Sequence, residues 1–222
     1  MPPSTPTRCC CGEDLGQIGY EGHDAPRELK RWQREGPRVS KRQLIDAIRA
    51  RGIEGATVMD IGAGVGMVHV SLLEAGARHA LDVDASEKYL AAARAEAARR
   101  GWAGRVDYLH GDVVALAPDL PPADVVTADM VICCYPYLPE FVHAAASVHP
   151  RLIGLTYPSD AWWVRAIMHI SNVLWTLFRK PDRYYIYRRQ EVDGLMREAG
   201  FEEAYSGGTL LVQVVVYQRA ST

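Results

Sequence analysis

No stretch of eighteen or more uncharged apolar residues occurs in this sequence, so no membrane-spanning helix is expected. The nearest approach, Ala161–Phe178, is interrupted by Arg165 and His169. An excess of one charge is missing too: 25 Lys and Arg stand against 27 Asp and Glu, a formal net charge of -2. Nucleic-acid-binding domains are strongly basic, and this chain is not, so no nucleic-acid partner is expected. Cysteine is scarce, with five residues in two clusters, Cys9–Cys11 and Cys133–Cys134. That spacing does not fit a disulfide framework and points to a reducing, cytoplasmic setting. Cys9–Cys11 with His23 offers metal-ligating residue types. Adjacent cysteines lack the C-x-x-C geometry that wraps a tetrahedral ion, however, and no metal is expected. Met1–Thr7 has three prolines and no apolar segment of the kind a signal peptide needs, so residues 1–22 read as a flexible tail.

What is present suits one globular domain. The chain has 222 residues, 48% hydrophobic and 23% charged, enough to bury a full core over residues 23–222. Asp24–Arg51 is basic and interspersed with apolar residues, and Gly36-Pro37 splits it into two helices, the second over Ser40–Ala50 with Ser40 as its cap. Short apolar strands then alternate with helical spacing. Strands are expected at Ala56–Ile61, Ala80–Val83, Val106–His110, Asp124–Cys133 and Leu152–Tyr157. Helices are expected at Met67–Ala75, Ser86–Arg100 and Glu140–Val148. Alternation of this kind implies a parallel sheet covered by helices on both faces. Near the end, Gln190–Ala199 reads as a helix stopped by Gly200. Phe201–Tyr205 and Leu210–Gln218 read as strands joined through Ser206-Gly207-Gly208, which makes the final strand antiparallel. The expected fold is therefore α/β and Rossmann-like, with a seven-stranded, mostly parallel sheet.

The most informative segment is Asp60-Ile61-Gly62-Ala63-Gly64-Val65-Gly66. A buried strand ends at Asp60, glycines remove side chains that would keep a ligand away, and a helix N-terminus follows with free N–H groups. Dinucleotide enzymes use G-x-G-x-x-G at such a turn. Here Gly66 comes one residue early, with Met67 in the third position. The carboxylate of Asp60 at the loop entry is a poor neighbour for a pyrophosphate and a good one for a ligand bearing ammonium and sulfonium groups.

DIGAGVG resembles the first motif of the class I S-adenosylmethionine-dependent methyltransferases. Leu81-Asp82-Val83-Asp84-Ala85-Ser86 is similar to that family's second strand, and His110-Gly111-Asp112-Val113 to the segment after its third. The resemblance covers roughly residues 40–218. It implies S-adenosyl-L-methionine as cofactor, held by Asp60, Gly62, Ala63, Gly64, Gly66, Asp84, Ala85, Asp112, Val113 and Met130. In this reading Asp84 accepts the ribose hydroxyls, Asp112 takes the adenine amino group, and the Val113 N–H meets a ring nitrogen. Asp84 and Asp112 have an alternative role as helix caps, and Asp82 reads as a solvated or edge residue. "CCYP" at 133–136, Arg151-Leu152-Ile153 leading to Thr156-Tyr157-Pro158, and the long apolar helix that follows are loosely similar to magnesium-protoporphyrin O-methyltransferases, which esterify a propionate. Cys134 stands where that group tends to carry His.

The expected activity is methyl transfer, to O or N, onto a small, fairly apolar acceptor by in-line displacement. The alternatives are a nicotinamide-dependent oxidoreductase and a non-catalytic cofactor-binding protein. Tyr135, His143 and Tyr157 are candidate catalytic groups, and His69 reads as a surface or packing residue. Tyr20, Trp32, Tyr135, Tyr137, Trp162 and Trp163 are candidates to line the acceptor pocket. The apolar segment 159–182 is read as a lid-like insertion. Its rival burials are a homodimer contact or a peripheral membrane contact through 159–180.

Overall fold

A computed structural model of the chain describes residues 25–178 and 184–220. Tyr20, Cys9–Cys11, His23 and the 1–22 tail lie outside the described residues.

Two helices come first, α1 (Ala25–Glu35) and α2 (Val39–Arg49), with Gly36 between them at a φ of 73°. Helix α2 begins one residue earlier than expected, and Arg38, not Ser40, occupies its cap position. The sheet then builds by alternation: β1 (Thr57–Ile61), α3 (Met67–Glu74), β2 (His79–Asp84), α4 (Glu87–Arg99), β3 (Val106–His110), α5 (Val113–Leu116), β4 (Val125–Asp129), α6 (Leu138–Ser147) and β5 (Leu152–Pro158). Ser86 caps α4 as expected, its hydroxyl accepting from the Tyr89 N–H. Strand β4 ends at Asp129, earlier than the sequence suggested. Met130 turns away with a φ of 60°, its N–H donating to Thr156 at 3.0 Å, and a 3₁₀ turn covers Ile132–Cys134. Helices α7 (Trp162–Leu177) and α8 (Arg189–Glu198) and the hairpin β6 (Phe201–Gly208) with β7 (Val212–Arg219) complete the chain.

The strand order is β3-β2-β1-β4-β5-β7-β6. Strands β1 to β5 pair in parallel, while β7 pairs antiparallel with both β5 and β6. One sheet face buries Met59, Ile61, Val126, Ile153 and Val215 against Phe141 and Val142 of α6 and Met196 of α8. The other buries Val58, Ala80, Val125 and Val214 against Leu44 and Ile48 of α2, Leu72 of α3 and Ala97 of α4. Period-2 alternation along each buried strand feeds both layers at once. The order in which strands are added switches sides between the parallel neighbours β1 and β4, with β2 and β3 laid to one side and β4 and β5 to the other, so their carboxyl ends open a crevice, the place where open α/β sheets bind ligands.

Candidate functional site

A cleft of about 1380 Å³ occupies that crevice. Its floor is the β1–α3 loop. Gly62 and Gly64 have φ angles of 61° and 59°, in the left-handed region where a Cβ is costly. A Cβ on Gly62 would also lie 2.6 Å from Val131 Cγ2, whereas one on Gly64 would meet only the Tyr89 ring at 3.7 Å. Both glycines line the cleft with Ala63.

Asp84, at the tip of β2, is buried beside the loop. Its Oδ2 accepts from the Gly64 N–H at 3.1 Å and its Oδ1 from the Ser86 N–H at 2.8 Å. One donor per oxygen leaves acceptor capacity on each. Burial raises the Asp84 pKa, while these two backbone donors hold it down. Asp112 caps α5 through the Val114 N–H at 3.1 Å and also receives the Tyr135 hydroxyl at 2.8 Å and 3.1 Å. Ala85, Val113 and Met130 join these residues in the lining. The arrangement is a side-chain-free cradle next to an acceptor-only carboxylate, and it fits an adenosyl ligand with a ribose diol.

Two residues expected at the cofactor lie elsewhere. Asp60 is fully buried and does not line the cleft. Its Oδ1 accepts from the Thr127 hydroxyl at 2.7 Å, and its Oδ2 meets the His69 N–H at 3.2 Å and the His69 ring Nδ1 at 3.0 Å. Strand alternation sends this carboxylate into the sheet face under α3, so it braces the loop from below. Gly66 is also outside the lining, and a Cβ there would come within 2.8 Å of the His69 ring. His69 is thus an interior group, not a surface one. Asp82 likewise departs from expectation. It is fully buried between Asp60 and Tyr108 across the strands, and neither carboxylate oxygen has a partner among the described residues. Burial first, then the charges of Asp60 and Asp84, push its pKa up to about 9.

The acceptor-side candidates fare unevenly. Tyr135 lines the cleft and donates its hydroxyl to Asp112, and burial, then the Asp112 charge, raise its pKa. Tyr137 is half-buried and packs on the core beneath. His143 is exposed on α6, with Nδ1 on the Pro139 carbonyl side at 2.9 Å, outside the cleft. Tyr157 is buried, raised in pKa, and faces Arg189, Asp193 and Tyr217 on the far side of β5. Trp32 is buried under the Arg100 guanidinium, 4.4 Å from its ring. Helix α1 does line the cleft, but with its charged face: Arg27, Glu28, Lys30, Arg31 and Arg34. Helix α7 contributes no lining residue, so Trp162 and Trp163 are not pocket residues. Trp32 and Tyr157 are buried away from the cleft and Trp162 is exposed, so an aromatic side chain in the sequence did not say what, if anything, covers it.

Sequence reasoning missed the polar group at the β4 end. Asp129 pairs with Lys41 Nζ at 2.8 Å and accepts from the Thr156 hydroxyl at 2.5 Å. Lys41 and Asp129 both line the cleft and are each 12% exposed. Asp129 carried the same signal as Asp84, an acid at a strand tip. Lys41 carried none. Val39, Met130, Cys133, Leu211 and Val212 make the same end apolar.

Residues 58–150 match the methyltransferase domain family. The chain is 36% identical over 80 residues to the ribosomal protein L11 methyltransferase of Enterobacter sp. strain 638, spanning 36% of this chain and 26% of that protein. It is 33% identical over 117 residues to the release factor glutamine methyltransferase of Cereibacter sphaeroides, 52% of this chain and 39% of that protein. The chain thus spans between a quarter and two-fifths of the length of these curated relatives. Among solved structures, the magnesium protoporphyrin IX methyltransferase of Synechocystis PCC 6803 with bound SAH superposes with a TM-score of 0.67 at 22% identity, over 87% of this chain and 95% of that one. An O-methyltransferase family protein of Burkholderia thailandensis gives 0.67 at 16% identity, over 90% and 61%. At these identities the likeness is one of fold.

Proposed function

We propose that this chain, which has the class I methyltransferase fold and carries a methyltransferase domain over residues 58–150, binds S-adenosyl-L-methionine and transfers its methyl group to a small, fairly apolar acceptor at O or N. The observation that carries this reading is the union in one cleft of the Gly62–Gly64 cradle with the Asp84 carboxylate. Asp84 would hold the ribose hydroxyls, and Gly62, Ala63 and Gly64 would admit the ligand against bare backbone. Asp112 would reach the adenine with its remaining acceptor capacity, beside Val113.

When bound, the cofactor supplies a methyl group on a sulfonium, an electrophile that needs no activation by the protein. The chain's residues are left with positioning and exclusion of water. Val39, Met130, Cys133, Leu211 and Val212 favour an apolar acceptor body. Asp129, held by Lys41 and Thr156 in the cleft lining, is our candidate to orient its reacting end and to accept a proton from an amine or hydroxyl. The adjacent Cys133 and Cys134, their sulfurs 3.8 Å apart, suit the reducing cytoplasm in which we place the protein.

Thermal denaturation with S-adenosylhomocysteine and with NAD tests the reading. At about 100 times its Kd, S-adenosylhomocysteine should stabilise the chain by about 2.7 kcal/mol, and NAD should do nothing. Stabilisation by NAD alone would falsify it. Cofactor binding without turnover on a broad acceptor panel would leave a binding protein in place of an enzyme. With an acceptor in hand, Asp129→Asn should lower kcat and leave cofactor affinity unchanged.

A further inference from the structure

Helix α7 turns a polar-edged, inward face to the protein and an apolar face to solvent. Val164 is buried, and Asn172 clamps the backbone of Tyr184 through two hydrogen bonds, at 2.7 Å and 3.0 Å. The Trp175 ring packs 5.0 Å from that of Tyr184, which lines the cleft. The helix is therefore held in place beside the cleft mouth. On its opposite face Trp162, Ile167, Ile170, Val173 and Leu177 are 80%, 55%, 58%, 54% and 73% exposed. Leu210 and Leu211, in the β6–β7 turn, extend the patch: the Ser159 N–H, just before α7, donates to the Leu211 carbonyl at 2.8 Å. Soluble monomers rarely leave a contiguous apolar surface of this kind uncovered.

Charge selects the cover. Residues 161–178 contain no Asp or Glu, and the exposed Arg165 and His169 flank the apolar face one turn apart. Across the cleft, α1 and the residue before α2 present Arg27, Lys30, Arg31 and Arg38 against the single acid Glu28, while Arg34 is paired with Glu35. A two-fold dimer through α7 would lay the stripe against its own copy and bring Arg165 and His169 near cations, with no carboxylate in the segment to pair them. An anionic lipid surface meets both halves of the pattern, since acyl chains take the apolar face and headgroups take the cations. At 16 residues the helix is too short to cross a bilayer but long enough to lie in its surface.

We propose that the outer face of α7, with Leu210 and Leu211, docks this protein on an anionic lipid bilayer, with the cleft mouth turned toward the headgroups. Of this face Leu211 also lines the cleft, and the variants used in the test leave it unchanged, so docking is read separately from the chemistry inside the cleft. Co-flotation of the full chain with vesicles tests it, using neutral phosphatidylcholine alone and the same lipid mixed with phosphatidylglycerol. Binding should be at least about tenfold stronger on the anionic vesicles and should weaken with salt. The double variant Ile170→Asp/Leu177→Asp should lose binding by about tenfold or more, with melting temperature and S-adenosylhomocysteine affinity unchanged, because both side chains are exposed. Arg165→Glu should weaken it several-fold. A chain that ignores anionic vesicles overturns the proposal. So does a dimer, seen by light scattering, that the double variant dissociates without any vesicle binding by either form.

Discussion

At the residue scale, the two loop glycines differ in a way that mutation can read. Gly62→Ala meets both a left-handed φ and the Val131 side chain at 2.6 Å, whereas Gly64→Ala meets the φ alone. Denaturant melts should show Gly64→Ala costing about 1–2 kcal/mol, the strain of an L residue in that region, and Gly62→Ala costing clearly more. Asp84 is the second test. Calorimetric titration should show Asp84→Ala weakening S-adenosylhomocysteine by about 1–3 kcal/mol, the cost of leaving hydroxyls unpaired. An unchanged Kd removes Asp84 from the ribose site. Asp84 was legible because its clue was local: an acid at a strand tip, one turn before a capped helix. Asp60 misled for an equally local reason. The sequence put a carboxylate at the loop entry, but pleat alternation determined that it points into the sheet toward His69 and Thr127.

At the element scale, α1 is held to the body by Glu96 of α4. That carboxylate is buried and accepts from Gln33 of α1 at 2.8 Å, from Arg99 at 2.6 Å and 2.7 Å, and from Arg100 at 2.6 Å. Hydrogen bonding by Arg99, ahead of Arg100 and Gln33, lowers its pKa to about 2. Glu96→Ala should destabilise the chain by about 1–3 kcal/mol and expose the α1–α2 junction to proteolysis, with Trp32 losing its packing. Helix α1 itself was legible from composition and from the Gly36-Pro37 break. Which face it gives the cleft was not. Trp32 marked the buried face, and helical periodicity then sends Arg27, Lys30, Arg31 and Arg34 to the other side. Helix α7 shows the same limit, because its apolar residues do not reveal whether lid, copy or lipid covers them.

At the scale of the whole molecule, the buried Asp82 links stability to pH. Its ordinary pKa of 3.8 applies in the unfolded chain, and folding raises it to about 9. The folded state thus holds a proton that the unfolded chain has released, so stability falls as pH rises from about 4 to about 9 and then levels. The raised pKa values of Asp84 and Asp112 act in the same direction. Asp82→Asn removes the largest contribution. Between about pH 5 and about pH 8, the wild type should lose on the order of 4 kcal/mol more than the variant in urea unfolding. Equal slopes would mean that Asp82 is ionised in the folded chain.

The sequence alone determined the sheet, its parallel order with an antiparallel last strand, and the loop with the acid that follows it, because each is written in contiguous residues through hydrophobic period and turn chemistry. The tertiary structure alone decided which side chains face the cleft: Lys41 beside Asp129, the basic face of α1 and the turn at Leu211 in, and Asp60, Trp32 and Tyr157 out. Those assignments depend on how distant segments pack and on which side of a strand or helix each Cβ leaves, and both are settled only when the layers close around one another.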